Sequence, residues 1–269
     1  MGELSAPTGV AVSPQERVFV ADPPAGCVHL LDLRTRRYRA LRSAGATPLV
    51  APADVAIGDG RVFVSDAGRG VIDVFSESGD YQSTWPATLR RPAGVAWDAA
   101  RQRLYVVDAA AHGCVGFSAA GVEQVRFGQR GVEPGQFNFP TFVACDARLG
   151  VIVTDSLNAR VQRFSPEGQF IATFGKKGDA AGDFSLPKGV AADAAGHIYV
   201  ADAHFENVQL FDDAGRLLLA FGSEGQGPGE FWLPAKLCFD GQSRLWVADS
   251  YNRRVQVFRL LDAAREPVS

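Results

Sequence analysis

Six aspartates recur along the chain, Asp22, Asp66, Asp108, Asp155, Asp202 and Asp249, at intervals of 42 to 47 residues. Carboxylates gathered in one place could hold a hard cation or divide general-acid and general-base work. Their regularity argues against both. A catalytic site breaks the symmetry of a repeat, since each chemical role needs a different residue, whereas a structural device recurs in every copy. Each aspartate closes a short apolar run, as in Val151-Ile152-Val153-Thr154-Asp155 and Leu245-Trp246-Val247-Ala248-Asp249, and enters a turn whose N–H groups a carboxylate can accept. Arg160 and Arg254 stand five residues on, within reach of their aspartates. The expectation is six structural carboxylates, each bonded to its own turn.

Other chemistry-bearing side chains are few. There are four histidines (His29, His112, His197, His204) and four cysteines (Cys27, Cys114, Cys145, Cys238), with no Cys-x-x-Cys pair and no common zinc spacing. No serine elbow, phosphate loop or Cys–His pairing is evident. The cysteines read as small apolar residues of a reduced interior, although a bridge between Cys114 and Cys145 is geometrically conceivable. No cofactor is expected.

The elements that would position these residues are strands. A second marker, a proline before a short apolar run, leads each aspartate by about fifteen residues, well inside one repeat: Pro7, Pro52, Pro92, Pro140, Pro187 and Pro234. After each aspartate comes an alternating stretch such as Arg160-Val161-Gln162-Arg163-Phe164, the pattern of a half-buried strand. A fourth strand should end at Leu41, Trp85, Phe127, Phe174 and Phe221. Four short strands in each of six units, without helical periodicity, predict an all-β, six-bladed β-propeller of four-stranded antiparallel blades around a central channel. One domain spanning 1–269 is expected. The chain begins inside a connector, so the sixth outer strand should come from the tail, 264–269; Pro267 there is tolerable only at an edge. A poorly paired blade 6 edge, Arg254 to Leu260, would offer itself to a partner by strand addition.

The runs Pro187-Lys188-Gly189-Val190-Ala191 and Tyr199-Val200-Ala201-Asp202, together with Asp155-Ser156-Leu157-Asn158-Ala159-Arg160-Val161-Gln162-Arg163-Phe164 and Asp249-Ser250-Tyr251-Asn252-Arg253-Arg254-Val255-Gln256-Val257-Phe258, resemble the NHL repeat. The resemblance covers nearly the whole chain and is specific for blades 4 to 6, where the connector from Phe-Gly to the marker proline also repeats. Pro23-Pro24, Gly68 and Ala109-Ala110-Ala111 replace the Ser-x-Asn turn in blades 1 to 3. It implies a propeller used mostly as an interaction platform, without supplying a single activity; a protein of bacterial type is expected.

Function is then sought where the repeats disagree on the channel face. Asp54, Phe142, Lys188 and Lys236 break the pattern after the marker prolines; Arg69, His112, His204, Phe205 and Tyr251 lie in the loops between second and third strands, and Trp232 in the connector before blade 6. Cations and aromatics together suit a protein or peptide partner, an acidic one above all, or another anionic ligand. Some relatives implied by the resemblance are zinc-holding lyases or calcium-dependent hydrolases, so a metal-dependent lyase or hydrolase is the alternative. Only His112 and His204 share this face, one ligand short of the usual three, with Asp54 a conceivable third. The chain carries a net charge of −3, against the concentrated positive charge a phosphate backbone requires. The arginine group Arg34, Arg36, Arg37, Arg39 and Arg42 reads as edge protection or a contact for an acidic protein, not an RNA surface. No apolar run approaches a membrane span and no signal peptide is visible. A cytoplasmic location is expected, or a secreted or periplasmic one if an upstream signal has been removed.

Overall fold

The computed structural model describes residues 3–86 and 89–259. The β-branched and aromatic runs form strands, and these assemble into six sheets set radially as a six-bladed propeller. The innermost strands are Gly9–Val12, Pro52–Gly58, Pro92–Asp98, Pro140–Asp146, Pro187–Ala192 and Pro234–Phe239. The second strands are Arg17–Asp22, Arg61–Asp66, Arg103–Asp108, Gly150–Asp155, Ile198–Asp202 and Arg244–Asp249. All six marker aspartates therefore end second strands. The fourth strands of blades 1 to 5 end at Leu41, Trp85, Phe127, Phe174 and Phe221, as the repeat phase predicts.

Within each sheet the strands follow chain order and pair antiparallel. The two sequence markers are in phase because they are cross-strand partners: Pro52 faces Asp66, Pro92 faces Asp108, Pro140 faces Asp155, Pro187 faces Asp202 and Pro234 faces Asp249. Each proline opens its strand, where its missing N–H costs no ladder bond. The connectors into blades 4, 5 and 6 close with parallel bridges, Arg130 to Phe137, Lys177 to Phe184 and Glu224 to Phe231. Each bridge buries its phenylalanine completely. Gly128, Gly175 and Gly222 have φ of +87°, +80° and +94°, and a Cβ on any of them would strike that ring, so both conformation and space demand glycine.

Apolar faces are buried between neighbouring blades, as propeller stacking requires. Phe19 and Val28 of blade 1, for example, share a core with Val55, Val62 and Phe75 of blade 2. The ring closes through its innermost strands: Pro234–Phe239 lies beside Gly9–Val12, the Lys236 N–H donates to Thr8 O (3.1 Å), and Ser250 Oγ donates to Pro7 O (2.6 Å). Among the described residues blade 6 has three strands, the last of them Arg254–Arg259, the edge expected to accept an added strand; the expected outer strand at 264–269 lies outside the described residues. Two small elements were not expected, a 3-10 turn at Ser156–Asn158 and a hairpin pairing Ser43–Ala44 with Thr47–Pro48.

All four cysteines are free, so the conceivable Cys114–Cys145 bridge is absent. Burial pushes the thiols of Cys114 and Cys145 up and that of Cys238 to about 12, which makes them poor nucleophiles. No helix of the described residues is long and apolar enough to cross a membrane.

Candidate functional site

The six aspartates are fully buried, and their hydrogen bonds correct one expectation. The carboxylates reach beyond their own turns and hold the connector that enters the blade. Asp22 accepts from the N–H groups of Ser5 (2.6 Å) and Ala6 (3.1 Å), Asp66 from Val50 and Ala51, Asp108 from Arg90 and Arg91, and Asp202 from Ser185 and Leu186. Asp66, Asp108 and Asp202 also cap their own turns. In blades 4 and 6 the carboxylate is shared with side chains: Asp155 accepts from Asn158, Arg160 and Gln162, and Asp249 from Asn252, Arg254 and Gln256. Buried carboxylates satisfied this completely are structural.

At the channel mouth, where connectors enter the innermost strands, lies a cavity of about 420 Å³. Its wall is mostly small and apolar, including Ala6, Ala51, Ala53, Ala67, Ala93, Ala203 and Ala235, with Phe142 and Leu186. The threonine and serine hydroxyls that line it are already spent: Thr8 Oγ1 donates to Ala53 O (2.6 Å), Thr141 Oγ1 to Lys188 O (3.2 Å) and Ser250 Oγ to Pro7 O (2.6 Å). Two lining cations, Lys188 and Arg91, have no hydrogen bond or ion pair from their charged ends among the described residues. Removal from water pushes the half-buried Lys188 amine below its usual pKa, and the Arg91 guanidinium adds to that. An apolar recess with uncompensated positive charge is suited to a ligand that brings an anion on an apolar body.

Next along the innermost strands from the lining residues Ala53 and Ala235 is an ion pair. Lys236 Nζ lies 2.6 Å from Asp54 Oδ2 and 3.0 Å from Val95 O, and it stands 5.5 Å from the centre of the Phe142 ring. Asp54 also accepts from the N–H groups of Val55 and Val95, both at 2.8 Å. Burial raises the Asp54 carboxyl, and the Lys236 ammonium and the two N–H groups oppose that rise. The pair links blade 2 to blade 6, and Lys236 also lines a second space, about 250 Å³, formed by the far ends of the innermost strands.

Of the residues singled out in the sequence, Phe142, Lys188 and Tyr251 line the mouth cavity. Asp54 and Lys236 follow its lining residues Ala53 and Ala235 in the chain and are committed to each other. Trp232 and Tyr251 are both exposed, with ring centres 5.7 Å apart. Arg69 is drawn aside to Asp73 (2.7 Å) and Asp66 (3.7 Å). The His112 ring is buried against Phe139, whose N–H donates to its Nδ1 (3.2 Å), while exposed His204 meets Ser185 Oγ at 2.6 Å. Phe205 faces a separate cavity in blade 5. Among the described residues no three His, Cys, Asp or Glu side chains form a group that could hold a metal. The blade 1 arginines are partly engaged, Arg34 with Glu16 (3.3 Å), Arg39 with Asp80 (3.1 Å) and Arg42 with Ala25 O (2.9 Å).

Arg91 was not singled out in the sequence, although a signal existed. It occupies the position before the marker proline, where the other copies carry Ala6, Ala51, Phe139, Leu186 and Leu233.

Comparison with known proteins agrees with this architecture. Residues 231–258 match the model of the NHL repeat. A streptogramin B lyase structure superposes with a TM-score of 0.71 at 14% identity, covering 97% of this chain and 85% of that one. A protein of unknown function from Bacteroides thetaiotaomicron VPI-5482 gives a TM-score of 0.74 at 16% identity, with coverage of 95% and 70%. A chain of a nidogen/laminin complex gives 0.67 at 17% identity, with coverage of 81% and 80%. No curated protein sequence matches the chain. At these identities the likeness is one of fold, and one fold hosts unrelated functions.

Proposed function

Because the chain is an NHL-repeat propeller of six blades, we propose that it is a non-catalytic binding module whose channel mouth takes a protein or peptide segment bearing a carboxylate. The observation that carries this reading is the mouth cavity itself, where Lys188 and Arg91 bring positive charge to an apolar wall and no acidic side chain lines it. A carboxylate would supply the missing counter-charge, and a charge-assisted hydrogen bond to half-buried Lys188 is of the stronger kind. The exposed pair Trp232 and Tyr251 stands at the same rim and offers rigid amphipathic area of the sort found at binding hot spots. The fold is compatible with such a role, since a propeller of this shape occurs in a nidogen/laminin complex.

The test is a random-peptide library with free C-termini sorted on the immobilised protein, followed by titration of the enriched peptides and their C-terminal amides. Carboxylate peptides should bind and Lys188→Met should weaken them by about tenfold, while leaving any residual binding of the amides unchanged. Enriched peptides that bind Lys188→Met as tightly as the wild type would sink the reading. The pH dependence has a definite sign. The ammonium form is required, and the Lys188 pKa is lowered, so affinity falls as pH rises through that lowered value, before an ordinary lysine would titrate.

A further inference from the structure

Blade 5 differs from blades 4 and 6 at the turn after its aspartate. In blade 4 the Arg160 guanidinium fills a seat made by the incoming connector. It donates to Asp155 Oδ2 (2.8 Å) and to the carbonyls of Val132 (2.7 Å), Glu133 (3.0 Å) and Gln136 (2.8 Å), while Asn158 donates to Gly131 O (2.9 Å). Blade 6 repeats this with Arg254, which donates to Asp249 Oδ2 (2.7 Å), Gln226 O (2.6 Å), Gly227 O (2.8 Å) and Glu230 O (2.8 Å), and with Asn252, which donates to Gly225 O (2.7 Å).

The blade 5 connector has the same course. Its parallel bridge joins Lys177 to Phe184, and Gln209 Nε2 donates to Asp183 O (2.9 Å), as Gln162 and Gln256 do to Gln136 O and Glu230 O. Yet the guanidinium position holds Asn207 and the carboxamide position Phe205. Neither side chain donates to the connector, so the carbonyls of Gly178, Asp179 and Ala180 lack the side-chain donors their counterparts receive. Where the guanidinium would lie there is a cavity of about 340 Å³, lined by Asp179, Ala180, Asp183, Phe205, Asn207 and others.

Two polar groups of this cavity are unpartnered among the described residues. Asn207 Oδ1 is buried without a hydrogen bond. Asp183 is 8% exposed, and its carboxylate makes neither a hydrogen bond nor an ion pair. The counterparts of Asp183 are used locally: Gln136 Oε1 accepts from Glu133 N and Glu230 Oε2 from Gly227 N. Asp183 is a methylene shorter than Glu230 and does not reach the equivalent N–H. Leaving the buried Asn207 acceptor without a donor is costly, and the Asp183 carboxylate brings to the same cavity a charge that no cation of the described residues meets.

We propose that this vacant seat in blade 5 binds a guanidinium group supplied in trans, the arginine side chain of a partner. The twin seats accept a planar fork of N–H donors on three connector carbonyls, and blade 5 keeps those carbonyls. It adds the Asp183 carboxylate as counter-charge, with Asp179 at the rim and the Phe205 ring beside the site, on which a guanidinium stacks well. This site is separate from the channel mouth and does not depend on the reading given for it.

The probe is N-acetyl-arginine amide, titrated by NMR into the full chain, with the isosteric neutral N-acetyl-citrulline amide and calcium chloride as comparisons. Saturable shifts should centre on residues 178–183 and Asn207, and the citrulline analogue should bind at least about tenfold more weakly. Asn207→Arg should abolish binding and raise Tm, because it restores the arrangement of the twin blades. Asp183→Asn should weaken binding by about tenfold and decides the matter should the first variant misfold. The proposal is overturned by absence of saturable shifts in the wild type, by citrulline binding as well as arginine, by unchanged binding in folded Asn207→Arg, or by calcium occupying the seat without competition from the arginine amide.

Discussion

Replacing Asp155 by alanine is expected to cost about 3–5 kcal/mol, the range for breaking a buried ion pair by removing one partner. The carboxylate is fully buried and lies 2.8 Å from Arg160, whose side chain is 12% exposed. Its loss leaves that guanidinium uncompensated and frees the Asn138 N–H of the connector. Asp108→Ala is the internal control, since Asp108 is equally buried but accepts only from backbone N–H groups, those of Arg90, Arg91 and Ala111. Its loss should cost about 1–3 kcal/mol, the penalty of unpaired donors. Urea unfolding of the two variants compares them directly, and equal losses would show that the arginine adds nothing to the aspartate's role.

Lys236→Met should destabilise the fold by a similar about 3–5 kcal/mol, because it strands the Asp54 carboxylate at 0% exposure. Here the pH dependence identifies the cause. Without the ammonium, burial is the dominant influence on Asp54 and its carboxyl pKa rises further above the unfolded value. A group raised in the folded state stabilises fully below its unfolded pKa, and that stabilisation is lost as pH rises through the folded pKa. The deficit of Lys236→Met relative to wild type should therefore be small in acid and grow toward neutrality. Adding Asp54→Asn should recover part of the neutral-pH loss and flatten the profile, although the Val55 and Val95 N–H groups, which now bond different oxygens, then compete for a single carbonyl acceptor. A deficit identical at acid and neutral pH would mean that packing against Phe142, not charge, sets the cost.

Both effects come from side chains whose presence the sequence announced and whose partners it did not. The six blades, the strand ends at Leu41, Trp85, Phe127, Phe174 and Phe221, and the pairing of Arg160 with Asp155 were legible because they are local. Alternation with period two and turn chemistry depend on neighbours within one repeat, and repetition multiplies the signal. The same locality explains the error over the aspartates. From the sequence the nearest N–H groups belong to the following turn, whereas the fold returns the preceding connector to the same carboxylate.

The candidate sites belong to the tertiary structure. Asp54 and Lys236 are 182 positions apart and read equally well as two exposed charges; ring closure brings blade 6 to blade 2 and cancels them. Lys188 and Arg91 become a pair of uncompensated cations only because blades 3 and 5 open onto one cavity, and Arg91 passed unnoticed as a surface arginine before a proline. The substitution of Asn207 for arginine is visible in the aligned repeats, but its consequence is not, since the carbonyls left without donors, at Gly178, Asp179 and Ala180, lie 27 to 29 residues earlier in the connector. Sequence determined how each blade folds, because the forces within a blade act between near neighbours. Which charges are cancelled and which are left seeking a partner was decided by the closing of the ring, which sets distances that no local pattern encodes.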